Sequence, residues 1–181
     1  MARVEQITDR TQIPTEWYPL YDRIEAARGR VAGPYSILLH APAVADRVDQ
    51  LSAALRSYSE VAPAEFVLTA VAVARAKDCL FVWSVQAPSA RRVGISEDVI
   101  SAVRERRSNG LSEDQADIVS YATQLATANR VDSATFNRLK ERHGVRWLVE
   151  LTTIAGHFGL ICGINNAFEV PPSPQGDKLD P

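Results

Sequence analysis

Residues 66–74 read FVLTAVAVA, nine positions without a charge and with a single hydroxyl. A helix carrying that stretch is apolar nearly all round, so other elements must cover it on several sides. The β-branched valines would also suit a buried strand. The alanines, the length of the segment and Pro63 at a first-turn position favour a helix. Around this centre we find no convincing run of alternating apolar and polar residues bounded by turn signals, so no strands are predicted. The expected fold class is all-α, a compact multi-helix domain.

Local punctuation places the remaining helices. One starts near Thr15, carries Pro19 in or near its first turn and stops at Gly29. A connector with at most a helical turn follows. Pro42 opens an amphipathic helix with Val44, Val48, Leu51 and Leu55 in one stripe. The segment after Cys79 runs to Gly94, with Pro88 inside it. Ser96 caps EDVISAVRERR, whose acidic start and basic end suit the helix dipole. Ser112 and Gln115 form the S-x-x-Q pattern of a capping box. Asp132 caps a helix ending at Gly144, and a last helix runs from about Val145 to Phe168. We expect residues 1–172 to form one domain and the proline-rich polar tail, 173–181, to be flexible.

The chain has 181 residues, 46% of them apolar, which is enough for a core. A net charge of −2 gives no bulk reason to expect nucleic acid or an anionic membrane as partner. No stretch approaches the roughly 20 apolar residues of a membrane span, and the charged N-terminus lacks the apolar core of a secretion signal. A cytoplasmic protein is the default expectation. Cys79 and Cys162 make no C-x-x-C pair, and His40, His143 and His157 show no metal-ligand spacing, so neither metal nor cofactor is predicted. Two helices are more apolar than a one-sided helix requires. A central core position or a subunit interface would each explain that, and the second predicts a homo-oligomer: dimer, trimer or hexamer.

On a helical wheel Cys79, Val82, Trp83, Gln86, Ala90 and Val93 share a face. An amide on such a stripe, two residues before a proline, has two readings. Pro88 cannot donate to the Ser84 carbonyl, and Gln86 could satisfy that carbonyl. Alternatively, Gln86 projects into a ligand pocket. A lone cysteine such as Cys79 is usually a small core hydrophobe. His157 lies between Gly156 and Phe158-Gly159, where close approach is allowed, and an imidazole there suits proton transfer. His40, in LLHAP, is a weaker version of the same idea, and His143 reads as a helix-end surface residue.

The stretch VLTAVAVARAKDCLFVWSVQAPSARRVGIS resembles the core helix motif of the carboxymuconolactone decarboxylase and alkylhydroperoxidase D-like family. Cys79, Phe81, Trp83, Pro88, Ala90, Gly94, Ile95 and Ser96 fall in place without a gap. LLHAPAVADRV, LSEDQADIVSYATQL and LVELTTIAGHFGLICGINNAFEVPP extend the resemblance over residues 36–172. Its departures fall on the chemistry. The family's catalytic histidine position is Gln86, and its two glutamate positions are Val82 and Val67. The second cysteine of the peroxidase branch also falls at Val82, so a vicinal dithiol cycle lacks its resolving sulfur. The resemblance implies a pocket lined by Val67, Val82, Trp83, Cys79 and His40. It implies a small-molecule enzyme for a carboxylated or lactone-type metabolite, with His157 as the acid–base group and Gln86 orienting the substrate. The alternative is a ligand-binding or scaffold oligomer that kept the fold without the chemistry, and a thiol peroxidase is disfavoured.

Overall fold

The computed structural model describes residues 1–180. Eight α-helices are found among them: α1 (Tyr18–Arg28), α2 (Pro34–Leu38), α3 (Pro42–Ser57), α4 (Pro63–Ala76), α5 (Leu80–Arg92), α6 (Glu97–Arg104), α7 (Glu113–Ala128) and α8 (Ser133–Ala167). No strand occurs among the described residues. The expected all-α class is what the chain adopts.

α4 is the hub. Every residue from Phe66 to Ala74 is buried, and the helix packs against α5, α6, α7 and α8. The sequence sets its start: Pro63 needs no partner for a missing N–H at the first turn, and the Glu65 carboxylate accepts the Ala62 N–H at 2.8 Å. Around the hub the caps work as local chemistry dictates. Ser112 Oγ accepts the Gln115 N–H at 3.2 Å while the Gln115 side chain accepts the Ser112 N–H at 3.0 Å. Asp132 accepts the Thr135 N–H at 2.9 Å. The first predicted helix begins with a short 3-10 turn over Thr15–Trp17 and becomes α-helical only from Tyr18.

The two helices predicted on either side of Gly144 are consecutive arms of α8. The backbone breaks at Gly144, with φ 86° and ψ 172°. The first arm ties to α7 by Arg138, whose Nη2 lies 2.6 Å from Asp117. At the break His143 stacks on Trp147, ring centroids 3.9 Å apart. The second arm brings Leu148, Leu151, Ile154, Phe158 and Cys162 to the common core. Contrary to the sequence expectation, α8 is long and apolar enough by length and composition to cross a membrane, but half of that apolar stretch is buried within the protein, as in a core helix.

α1 crosses α3 through a pair of arginines. Arg23 reaches Asp46 and Asp49 at 2.5 and 2.9 Å, and Arg28 reaches Asp49 at 2.9 Å. Asp49 is buried, so these contacts supply the charge compensation it needs.

The tail expected to be flexible, 173–181, is described up to residue 180 and makes specific contacts. Residues 173–180 lie against α5 and α6. The Ser173 N–H donates to Ser84 Oγ at 2.9 Å, Asp177 takes two hydrogen bonds from Arg91 at 2.9 and 2.8 Å, and Leu179 is buried in the core. Its prolines and polar residues gave no apolar period, so the single anchoring Leu179 carried no readable pattern.

Candidate functional site

A cavity of about 400 Å³ opens between α5, the second arm of α8, the ends of α1 and α3, and the tail. Its floor is apolar. α5 contributes Phe81, Val82, Val85 and Pro88, and α8 contributes Phe158 and Ile161. Val82 and Gln86 stand four residues apart and so share a face of α5. His157 and Ile161 do the same on α8. Gln86 and His157 therefore reach one hollow from opposite helices.

Gly33 sets how closely the α1–α2 connection approaches this hollow. Its φ is 60°, and a Cβ there would lie 2.1 Å from the Phe81 ring. Only glycine fits both the backbone conformation and the contact. The turn it makes delivers Pro34 and Tyr35 to the cavity wall.

The charged groups on the wall are all cationic. Arg28, in the last turn of α1, donates to the Tyr35 hydroxyl at 2.9 Å and lies 4.1 Å from the centre of that ring. Asp49 holds the same terminal nitrogen at 2.9 Å. Arg56, in the last turn of α3, stacks over Phe66 at 4.7 Å and reaches no carboxylate among the described residues. It keeps solvent access, yet protein crowds its guanidinium enough to lower its pKa, and Arg28 adds to the effect. Arg30 and Arg92 line the mouth. Burial pushes the Tyr35 phenol up, so it stays a neutral hydroxyl.

His157 is the group left incomplete. It is 7% exposed, and its Nδ1 has no hydrogen-bond partner. Its pKa is pushed down to about 4, by desolvation first and then by the positive charges of Arg56 and Arg28. At neutral pH the ring is uncharged, with an unsatisfied polar nitrogen in a cationic hollow. A buried polar atom without a partner costs about 1–3 kcal/mol, which a ligand atom placed against it would recover.

Of the residues singled out in the sequence, the cavity unites Gln86, Val82 and His157. It does not include Trp83, Val67, Cys79 or His40. Trp83 stands about 100° further round the helix than Val82. It is fully buried, with Arg104 of α6 over its ring at 5.4 Å. Val67 belongs to the hub helix and is sealed in the core. Cys79 is the N-cap of α5, fully buried, with its Sγ 4.0 Å from the Cys162 carbonyl. The Cys162 thiol, held against Cys79 and desolvated, is pushed up. His40 is exposed and bonds the Glu5 carbonyl at 2.8 Å, tying down the N-terminal segment. Gln86 does not turn back to the Ser84 carbonyl; Gly176 of the tail packs close against that carbonyl, its own N–H donating to the Ser173 carbonyl at 2.9 Å.

Sequence reasoning missed Arg28, Arg56 and Tyr35. Both arginines occupy last turns, where a cation suits the helix dipole, and nothing local distinguishes them from helix-end charges.

By sequence, no family model and no curated protein matches the chain. Solved structures do match by shape. The chain is similar to an uncharacterized peroxidase-related protein from Ralstonia eutropha JMP134 described as an alkylhydroperoxidase AhpD core, with a TM-score of 0.80 at 17% identity, covering 96% of this chain and 93% of that one. It is similar to an uncharacterized peroxidase-related protein from Silicibacter sp. TM1040, with a TM-score of 0.79 at 14% identity over 97% and 93% of the two chains. A variant of the debrominase Bmp8 in complex with 2,3,4-tribromopyrrole matches with a TM-score of 0.78 at 16% identity over 97% and 94%. The protein therefore has the alkylhydroperoxidase D-like fold that the core helix motif implied.

Proposed function

We propose that the protein is a small-molecule enzyme that binds a carboxylated or lactone-type organic anion in this cavity and uses His157 as its acid–base group. The observation that carries the reading is the unpartnered Nδ1 of buried His157 beside Arg56, a cation without a counter-charge. A carboxylate against Arg56 would supply that counter-charge. It would also offset the positive field that depresses His157, raising the pKa of the imidazole towards neutrality. The base would become competent when its substrate arrives.

In a decarboxylation on this wall, the bond to the carboxyl carbon breaks and carbon dioxide leaves. The electron pair passes into a conjugated carbonyl, whose oxygen Gln86 steadies by donating an N–H. Protonated His157 then delivers a proton to carbon. Glutamine does not titrate in this range, so Gln86 binds and orients but does not move protons. The same fact favours a second reading, in which the cavity holds its ligand without transforming it. A thiol peroxidase gains no support from the site, since both thiols are fully buried and neither lines the cavity.

The test is release of carbon dioxide from a panel of carboxylated butenolides, with wild type beside H157A and R56A. His157→Ala should lower kcat by about 10²–10⁴-fold, while Arg56→Ala should act mainly through KM. Equal turnover in the His157 variant would remove the acid–base role. Saturable binding without turnover on the whole panel would favour the second reading.

A further inference from the structure

The tail is seated on an irregularity of α5. Pro88 has no N–H to offer the Ser84 carbonyl, which leaves that edge of the helix open. Gly176 occupies it. A Cβ on residue 176 would stand 2.2 Å from the Ser84 oxygen and 2.6 Å from its Cβ, so no other residue could lie there without moving the chain. Ser84 holds the near side of the seat through the Ser173 N–H, and its own hydroxyl donates to the Phe81 carbonyl at 2.8 Å. Beyond Gly176 the chain is locked. Asp177 receives Arg91 through both terminal nitrogens and lies 3.4 Å from Arg104. Leu179 then enters the core. Between these anchors Ser173, Gln175 and Gly176 face the cavity.

We infer that segment 173–180 is the size-selecting wall of the ligand site, positioned by the Ser173–Ser84 hydrogen bond, by the close packing of Gly176 on Ser84 and by the Asp177–Arg91 lock. This rests on the reading of the cavity as an organic-anion site. Small anions fit with the segment in place. Larger ones require it to leave its seat, which makes Gly176 and Asp177 specificity determinants that need not touch the reacting atoms.

The experiment uses the full chain and three probes: benzoate, 1-anilinonaphthalene-8-sulfonate, and N-phenyl-1-naphthylamine, which has the larger ring system without the sulfonate. Affinities are measured for wild type, G176V and D177N. Gly176→Val attacks the seat and Asp177→Asn the lock, so the inference does not hang on one variant. Both should tighten the two large probes by about fivefold or more and leave benzoate within about twofold. Equal affinity for the large probes in wild type and both variants overturns the wall. So does an equal shift for all three probes. Failure of benzoate and the sulfonate to bind anywhere, with the uncharged large probe still excluded by wild type and admitted by the variants, overturns the anion reading and leaves the wall standing. Hydrogen exchange gives an independent check: residues 173–180 should be protected in wild type and lose protection in Gly176→Val, and a fully exchanging segment in wild type overturns the seat.

Discussion

His157 is costly to keep where it is. Its folded pKa of about 4 lies below the ordinary 6.5. The unfolded chain therefore takes up a proton that the folded chain refuses. Stability is full above about pH 6.5, declines as the pH falls towards 4, and remains lowered below that, by up to about 3 kcal/mol in all. His157→Asn should flatten that part of the acid limb, as read by urea midpoints across the pH range; an unchanged slope would show that the ring is not desolvated. Asp49 is a buried charge that the fold does compensate. It holds both Arg23 and Arg28. Asp49→Asn should destabilise the protein by about 1–3 kcal/mol with an unchanged urea m value, and should weaken benzoate binding because Arg28 loses its support.

At the scale of elements, boundaries were legible because they are written locally. Pro63, Ser96, the Ser112–Gln115 box and Asp132 each act within one turn, so their neighbours in sequence are their partners in space. Gly144 marks a break for the same reason. A Cβ there meets nothing within 4 Å, so Gly144→Ala should cost only the backbone strain of its conformation, about 1–3 kcal/mol, measurable as a shift in the denaturation midpoint. The site was less legible. A helical wheel put Val82, Trp83 and Gln86 on one broad face, but α5 packs against α4, α6 and α8, and its neighbours split that face between core and cavity. Trp83 went to the core with Ala87 and Ala90. The arginines come from α1 and α3, 129 and 101 residues before His157 in sequence. Only tertiary packing brings them to it, and helix-end arginines are too common to announce that.

At the scale of the whole molecule, the outer face of the second arm of α8 stays uncovered. Val149 and Leu160 are 59% and 46% exposed, with exposed Gly156 between them and Gly163 a turn beyond. We propose that a second copy of the chain covers this stripe, in keeping with the expected homo-oligomer. Native mass spectrometry at micromolar concentration should show a defined multimer, and the double variant V149E/L160E should be monomeric; a monomeric wild type would sink the proposal. The N-terminal segment also meets the end of α8. The Arg3 N–H donates to the Phe168 carbonyl at 2.9 Å, and the Arg3 guanidinium lies 2.6 Å from Glu169, a pairing across 166 residues. Contacts that close so large a loop lose the most chain freedom and are slow to form. Residues 173–180 follow every helix that lines the hollow, so the segment that rims it is the last of its walls in chain order.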